Sequence, residues 1–506
     1  MTRQTKWEPD GWTRAVARAI GAVAPGYAMR WLSRRAVLAS YTGARSDGPN
    51  KGWNPRNDSA DALLHRDRLR LLARARDLER NSGHISGAIN KIVNNVIYTG
   101  IFPQARLRGP DGKLLKDENN RIEELHKEWA ESDEVQFYDK QELVLRHLWV
   151  DGECLVHDFL DRDLLKKGVV PFGVELFEPD YLDHSMNTQA ENGSVIKAGI
   201  EYNVKGRPAA FHVFKQHPGE GLWGSAFGET RRIPVENIRH VYHQKRASQG
   251  RGVSWLASII MEMRDFSEYQ SSERVAARLM SAFGLFVESP YPEHQLINPI
   301  FQDQEYPSIG DVSSYIDPGR IDVLPPGVKV SSHQYNRPGD TYEPFTKTSL
   351  KSASTGTGIS YENFSNDFEG ATFSSARQGV LEERRGYRKL QTFLNRHFNS
   401  WMWDKFLMYA RNANMVDREL RTIPVQWQNP GWPWIDPAKD AKGAEMELAM
   451  KITTRRRLAA ERGLDWDEEI EEYAEENEIM RAKGINPEPD ETEVNSDVVD
   501  PDSEQD

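Results

Sequence analysis

Five fragments of the sequence carry residue types that could do chemistry. His240 and His243 in RHVYH place two imidazoles three residues apart. On a strand that spacing puts them on opposite faces, and with no thiol or acidic partner read beside them, a structural pair is expected rather than a metal site. Cys154 and His157 in GECLVHDF offer a nucleophile and a base. Two intervening β-type residues do not bring such side chains together, so Cys154 reads as a small buried hydrophobe. The GTG at Gly356–Gly358 lacks the downstream glycine, lysine and hydroxyl of a phosphate-cradling loop, and reads as a flexible turn. The acidic run DWDEEIEEYAEENE reads as a solvated helix face rather than a cation site. The basic series Arg377, Arg384, Arg385, Arg388, Lys389 and Arg396 reads either as a solvated face with Glu382 and Glu383 as local partners, or as contacts to phosphate or a neighbouring subunit. No catalytic constellation emerges, and no enzyme activity, metal or cofactor is expected.

The chain that must position these residues has 506 of them, too many for one ordinary core, so several packed modules are expected. Its one cysteine, Cys154, cannot close an internal disulfide, which fits a reducing compartment such as the cytoplasm. No run of about eighteen apolar residues occurs, so a membrane span of the usual kind is not expected. The formal net charge of −12 is unevenly spread: from Leu464 onward there are 18 acids and two bases, which leaves the preceding part at about +4. A mildly basic body with an acidic tail permits contact with nucleic acid without requiring it.

Along the chain, the arm GWTRAVARAIGAVAPGYAMRWLSRRAVLAS has arginines spread through its apolar part, unlike a secretory signal. It reads as a partner-binding or poorly ordered arm in preference to a membrane-surface helix, because Pro25 and Gly26 interrupt it. A Gly/Pro/Asn-rich linker extends to about Asp58. Two helices follow to Gly100, with a break at Asn81–Gly83, and RIEELHKEWAESD is a further helix. Alternating apolar residues between Val169 and His243 predict a mostly antiparallel β module with a turn at Asn203–Arg207. Residues 254–283 form one proline- and glycine-free helix of about 45 Å at 1.5 Å per residue. Beyond it lie a strand in GLFVES, an extended piece in GRIDVLPPGVKV and a helix in YEPFTKTSLKSAS.

The passage ISYENFSNDFEGATFSSARQ then reads as a mobile loop ending at a helix capped by Ser375 with Gln378 three residues on. Apolar residues at Leu381, Leu390, Leu394, Phe398, Trp401 and Phe406 keep helical spacing, and Trp401, Trp403 and Phe406 read as core rather than a stacking platform for bases. Two more helices, the second very acidic, precede an acidic tail expected to be disordered.

At IRHVYHQKRASQGRGVSWLASIIMEMRDFSEYQSSERVAARLMSAF the chain resembles the lambda-type portal proteins of tailed bacteriophages. Three further passages carry the resemblance: LARARDLERNSGHISGAINKIVNNVIYTG, YENFSNDFEGATFSSARQGVLEERRGYRKLQ and WPWIDPAKDAKGAEMELAMKITTRRRLAAERGLDWDEEIEE. They cover roughly Leu63 to Ile479 in the family's order. The resemblance implies an α+β portal fold assembled as a ring, a homo-oligomer typically of twelve subunits, at one capsid vertex. Sequence-independent double-stranded DNA would be packaged and ejected through its channel. Its implied partners are the large terminase subunit, head-completion and tail adaptor proteins, the major capsid protein and a scaffold. Its implied location is the virion, after assembly in the host bacterial cytoplasm.

Laid over the sequence, the resemblance implies a basic arm and linker at 1–58, an antiparallel β-rich wing at 59–252, a first stem helix at 253–283 and a clip at 284–338. It further implies a second stem element at 339–354, a tunnel loop at 355–374, a long wing helix and return strand at 375–430, α-helical crown at 431–484 and a disordered acidic tail at 485–506. Asn363, Phe364, Asn366, Asp367, Phe368, Glu369 and Phe373 become the candidate channel residues. Arg377, Arg384, Arg385, Arg388 and Lys389 become candidate phosphate or inter-subunit contacts. The alternatives are a nucleic-acid processing enzyme, which would need clustered acids for two metal ions, and a minor capsid or adaptor protein of the packaging apparatus.

Overall fold

The computed structural model describes residues 11–29, 52–53, 55–189, 193–220, 228–282, 286–288, 329–331, 342–418, 420 and 422–484. The chain divides into two units, Met1–Leu63 and Leu64–Asp506. In the first, helix α1 (Gly11–Val23) carries the arginine-spaced apolar pattern and ends ahead of Pro25. Most of the arm and linker, nearly all of the expected clip at 284–338 and the tail at 485–506 lie outside the described residues. Among the described residues, no helix is long and apolar enough to cross a membrane.

Helices α2 (Ala60–Asn81) and α3 (Gly83–Val96) meet at Ser82, inside the predicted break. Ile85, Ala88, Ile89, Ile92, Val93 and Val96 recur at three- and four-residue steps and are all buried, which gives α3 one core face. Strand β1 (Phe102–Ala105) leads to α4 (Lys116–Ala130) and α5 (Phe137–Val150). The core of this region is aromatic: Trp129, Phe137, Phe172, Phe398, Trp403 and Phe406 are fully or almost fully buried. Trp129 Nε1 donates to the Phe172 carbonyl at 2.8 Å, so the indole is buried with its polar atom satisfied. His126 lies among these rings, and burial pushes its pKa down to about 3, so it is a neutral core residue.

Strand β2 (Glu153–Leu160) is buried continuously over its first four residues because it lies between two antiparallel partners. These are β3 (Phe172–Phe177) and β9 (Ile238–Tyr242), in the order β3-β2-β9. A second antiparallel sheet runs β4 (Thr188–Gln189), β5 (Val195–Lys197), β6 (Ile200–Tyr202), β7 (Pro208–Phe214) and β8 (Thr230–Pro234) in sequence order. The short α6 (Arg162–Lys167) connects β2 to β3. Leu155, Phe177, Ile200, Phe211, Val213, Ile233 and Ile238 form a separate core in this β module. The predicted turn is closed by Asn203, whose Oδ1 accepts from the Lys205 and Arg207 amides at 3.0 Å each.

Four sequence expectations need correction. The helix read over 254–283 is shorter: Ser254 Oγ accepts from Leu256 N at 3.2 Å and caps a 3-10 turn at Trp255–Ser258. Helix α7 then spans Ile260–Ala282, about 34 Å at 1.5 Å per residue. Strands β10 (Phe286–Glu288) and β11 (Lys329–Ser331) pair antiparallel beyond it. The GTG is not a free turn, because α8 (Tyr342–Thr357) takes in its first two residues and Gly358, at φ +76°, ends the helix.

The loop read over 355–374 contains a helix, α9 (Tyr361–Ser365), and α10 (Phe373–Leu394) begins ahead of the Ser375 cap. Thr372 is the cap: its Oγ1 accepts from Ser375 N at 3.2 Å, while Ser375 Oγ returns a bond to the Thr372 carbonyl at 2.9 Å. A π turn at Asn395–Asn399 joins α10 to α11 (Ser400–Asn412). It turns Asn395 and Asn399 inward, where Asn399 Nδ2 donates to Asn395 Oδ1 and Asn395 Nδ2 to Asn429 Oδ1, both at 2.8 Å.

The return strand β12 (Val425–Gln428) pairs with β1, Phe102 opposite Gln428. Finally, the two C-terminal helices are three: α12 (Pro437–Ala449), α13 (Arg455–Glu461) and α14 (Trp466–Ala482). Lys451 at φ +58° and Gly463 at φ +82° break the pattern, and Thr454 and Asp465 cap the restarts.

Candidate functional site

The passage from Ile359 to Phe373 is fastened between α3 and α10. Ser360 Oγ caps α9 by accepting from Asn363 N at 3.4 Å, and Asn366, at φ +57°, ends it in the left-handed region that asparagine tolerates. Glu383 on α10 is buried and turned toward this passage. Its carboxylate accepts from the Ser360 amide, from Asn363 Nδ2 at 2.6 Å and from Tyr387 O–H at 3.2 Å. Lys91 on α3 donates to the Asn363 carbonyl and to Asn366 Oδ1. Burial lowers the Lys91 pKa, and Glu383 acts in the opposite direction. His84 on α3 stacks on the buried Phe364 ring at 6.2 Å, and burial lowers its pKa.

The candidate channel residues therefore fall into two groups. Phe364 is core, while Asn363 and Asn366 are tied to α3 and α10. Asp367, Phe368, Glu369 and Phe373 lie beyond the clamp. Asp367 Oδ2 accepts from Tyr361 O–H at 2.7 Å and Oδ1 from Glu369 N at 3.1 Å, and the Tyr361 hydroxyl lowers the Asp367 pKa. Phe368 and Phe373 are more than half exposed although aromatic, and Gly370 at φ +76° turns the chain between them.

The basic series is dispersed around α10. Arg377 pairs with Asp440 of α12 at 2.6 Å. Arg384 donates to the Pro433 carbonyl at 3.1 Å, and both Arg384 and Arg388 lie over the Trp432 ring, at 5.8 and 5.7 Å from its centroid. Arg385 pairs with Glu382 at 3.1 Å, and Lys389 is exposed. Glu383 is not the local partner of these arginines that the sequence suggests. With Tyr387, Gln391 and Leu394 it forms the buried stripe of α10 at three- and four-residue steps. That acid on an otherwise core-facing stripe was the available signal, whereas nothing in the sequence marked Lys91.

A second polar cluster sits where the β module meets α2. Glu153 has no exposed surface and accepts from Arg251 Nη2 at 2.7 Å, Arg68 Nη2 at 2.8 Å and the Gly252 amide at 2.7 Å. His240 Nε2 lies 2.8 Å from Glu153 Oε2, the oxygen that also accepts from Gly252 N, so His240 has the acidic partner that its sequence neighbourhood did not show. His243 lies past the end of β9, against Trp255 and Phe393. Burial alone would raise the Glu153 pKa, but Arg251 and Arg68 override it and hold the carboxyl well below the usual range. Burial lowers Arg68 to about 10, which leaves it cationic at neutral pH. The close approach depends on glycine: a Cβ on Gly252 would sit 2.2 Å from the Gly152 carbonyl oxygen.

Cys154 is fully buried, and burial raises its thiol pKa, the opposite of an activated nucleophile. Among the described residues one group has metal-like spacing, Glu178, Asp180 and His217. The Arg76 guanidinium already fills the charge position there, 3.0 Å from Glu178 and 2.6 Å from Asp180.

A family model described as phage portal protein, lambda family, matches residues 46–391. The probable portal protein of Halomonas phage phiHAP-1 is 27% identical over 463 residues, covering 89% of this chain and 88% of its own length. The portal protein of Escherichia phage N15 and portal protein B of Escherichia phage lambda are each 23% identical, covering 89% of this chain and 92% and 91% of their own. Among solved structures, the neck of a native gene transfer agent particle computed with C12 symmetry aligns with a TM-score of 0.44 at 10% identity, covering 79% of this chain and 94% of that one. The neck of an empty particle computed with C6 symmetry aligns with the same TM-score at 12% identity, covering 85% and 99%.

Proposed function

The chain belongs to the lambda family of phage portal proteins, and we propose that it forms a closed ring, typically of twelve copies, at one capsid vertex and conducts double-stranded DNA in and out of the head. The observation that carries this is the family match across most of the chain, with three phage portal relatives aligned over nearly their whole lengths.

In this reading residues 59–252 are the wing, 253–283 and 339–354 the stem, 284–338 the clip, 355–374 the tunnel loop, 375–430 the long wing helix and return strand, and 431–484 the crown. DNA passing the loop meets Asp367, Phe368, Glu369 and Phe373 beyond the clamp made by Lys91 and Glu383. That arrangement favours sliding, since acidic and aromatic side chains on a fastened base offer no base-edge readout and little phosphate attraction. Arg385 and Lys389 contribute phosphate or inter-subunit contacts that are salt-dependent and insensitive to sequence, while Arg377, Arg384 and Arg388 bind the chain's own C-terminal region. The ring docks the large terminase subunit and, later, head-completion and tail adaptor proteins, and it joins the major capsid protein with a scaffold. It is assembled in the host bacterial cytoplasm and retained in the virion.

The test is a packaging assay with the full-length chain carrying Asp367→Ala, Phe368→Ala or Glu369→Ala. The expected result is normal ring formation with fewer DNA-filled particles, or particles that lose DNA. Variants that fail to form rings, while any assembled particles fill normally, would contradict the tunnel-loop assignment.

A further inference from the structure

Helices α12, α13 and α14 contain no buried residue, although large apolar side chains lie on α14 and on and just past the end of α12. Met446, Met450, Ile452, Ile470, Tyr473 and Ile479 range from 41% exposed at Ile470 to 66% at Ile452. Helices of three to four turns gain most of their stability from packing an apolar face, so these faces call for a cover.

Helix α14 is held mainly through its first turns: Asp465 accepts from Gln104, Asp467 from Arg456 and Glu471 from Lys116. Along it, Trp466, Ile470 and Tyr473 make an apolar floor between Glu469 and Glu476, and with Arg455 they bound a groove of about 670 Å³. Met446 on α12, and Met450 and Ile452 in the turn just past its C-terminal end, are exposed and are flanked by Lys442 and Lys451. Residues 437–457 carry six bases and three acids, net +3, whereas 466–482 carry eight acids and one base, net −7.

A rotationally symmetric ring needs two different, complementary surfaces on every subunit. From these exposed apolar side chains and the opposite charge of the two segments, we infer that the α14 groove of one copy receives the C-terminal end of α12 and the turn after it, Met446 to Ile452, from the next copy, a head-to-tail contact repeated around the ring. This rests on the ring reading above and adds the surfaces that close it at the C-terminal layer. The charge pattern sets direction: α12 against a neighbouring α14 pairs lysine with glutamate, while α14 against α14 sets acid against acid.

The test uses the full-length chain with Met446→Cys and Tyr473→Cys, singly and together, a short bis-maleimide cross-linker, and sizing by light scattering. Cys154 is fully buried and does not compete. The double variant is expected to give a covalent ladder up to the ring size, and each single variant none. In a second arm, Glu469→Lys with Glu476→Lys, or Lys442→Glu with Lys451→Glu, raises the concentration for half-assembly roughly tenfold at low salt, and combining all four restores it. Rings without a ladder, a cross-link confined to the monomer band, or assembly unaffected by charge reversal would overturn this interface while leaving the ring intact. A wild-type chain that stays monomeric would overturn the interface and the ring reading together.

Discussion

Glu153 is a carboxylate with no exposed surface, gripped by Arg68 and Arg251 and approached by His240. Removing it leaves two buried guanidiniums without their counter-charge, so Glu153→Ala should cost about 3–5 kcal/mol in urea unfolding. Its pKa is depressed in the folded chain, so its contribution is complete above the unfolded value of about 4.3 and is lost as pH falls toward the folded value. The urea midpoint of the wild type should therefore drop on acidification below about pH 4, and a Glu153→Gln variant should lose much of that slope. None of this pairing was legible in the sequence, because Glu153 and Arg251 are 98 residues apart and only the closed β2–β9 pairing brings them together. The face of α3 was legible in its three- and four-residue apolar steps, whereas on α10 the apolar spacing of Leu381, Leu390 and Leu394 pointed to the wrong face: Leu381 is 40% exposed, and the buried stripe is Glu383, Tyr387, Gln391 and Leu394.

At the scale of elements, the passage before α10 is a short helix held at both ends rather than a mobile loop. Its Gly, Ser and Asn content suggested mobility, but Ser360, Asn363 and Asn366 spend their side chains on caps and on bonds to Glu383 and Lys91. Lys91→Ala should raise hydrogen exchange of residues 359–369 while the global melting transition moves little, since the bond lies at the surface end of the clamp. The start of α10 offers a separate check: Thr372→Ala should cost about 1 kcal/mol and Gln378→Ala less than about 0.5 kcal/mol, as read from thermal unfolding. Capping patterns in T-F-S-S-A-R-Q admit several registers, which is why the cap was placed three residues late. The C-terminal helices were undercounted for a related reason: an unbroken charge-rich pattern hid two positive-φ stops, one at a lysine.

For the molecule as a whole, the family match across residues 46–391 places the chain among the phage portal proteins. The exposed faces of α12 to α14 are the surfaces inferred to meet a neighbouring copy. The most direct measurement is electron microscopy of the purified full-length chain. Closed rings of about twelve copies with an open centre, held by head-to-tail contacts, are expected. A chain that remains monomeric at every concentration, or that closes into particles with no central opening, would contradict the ring reading.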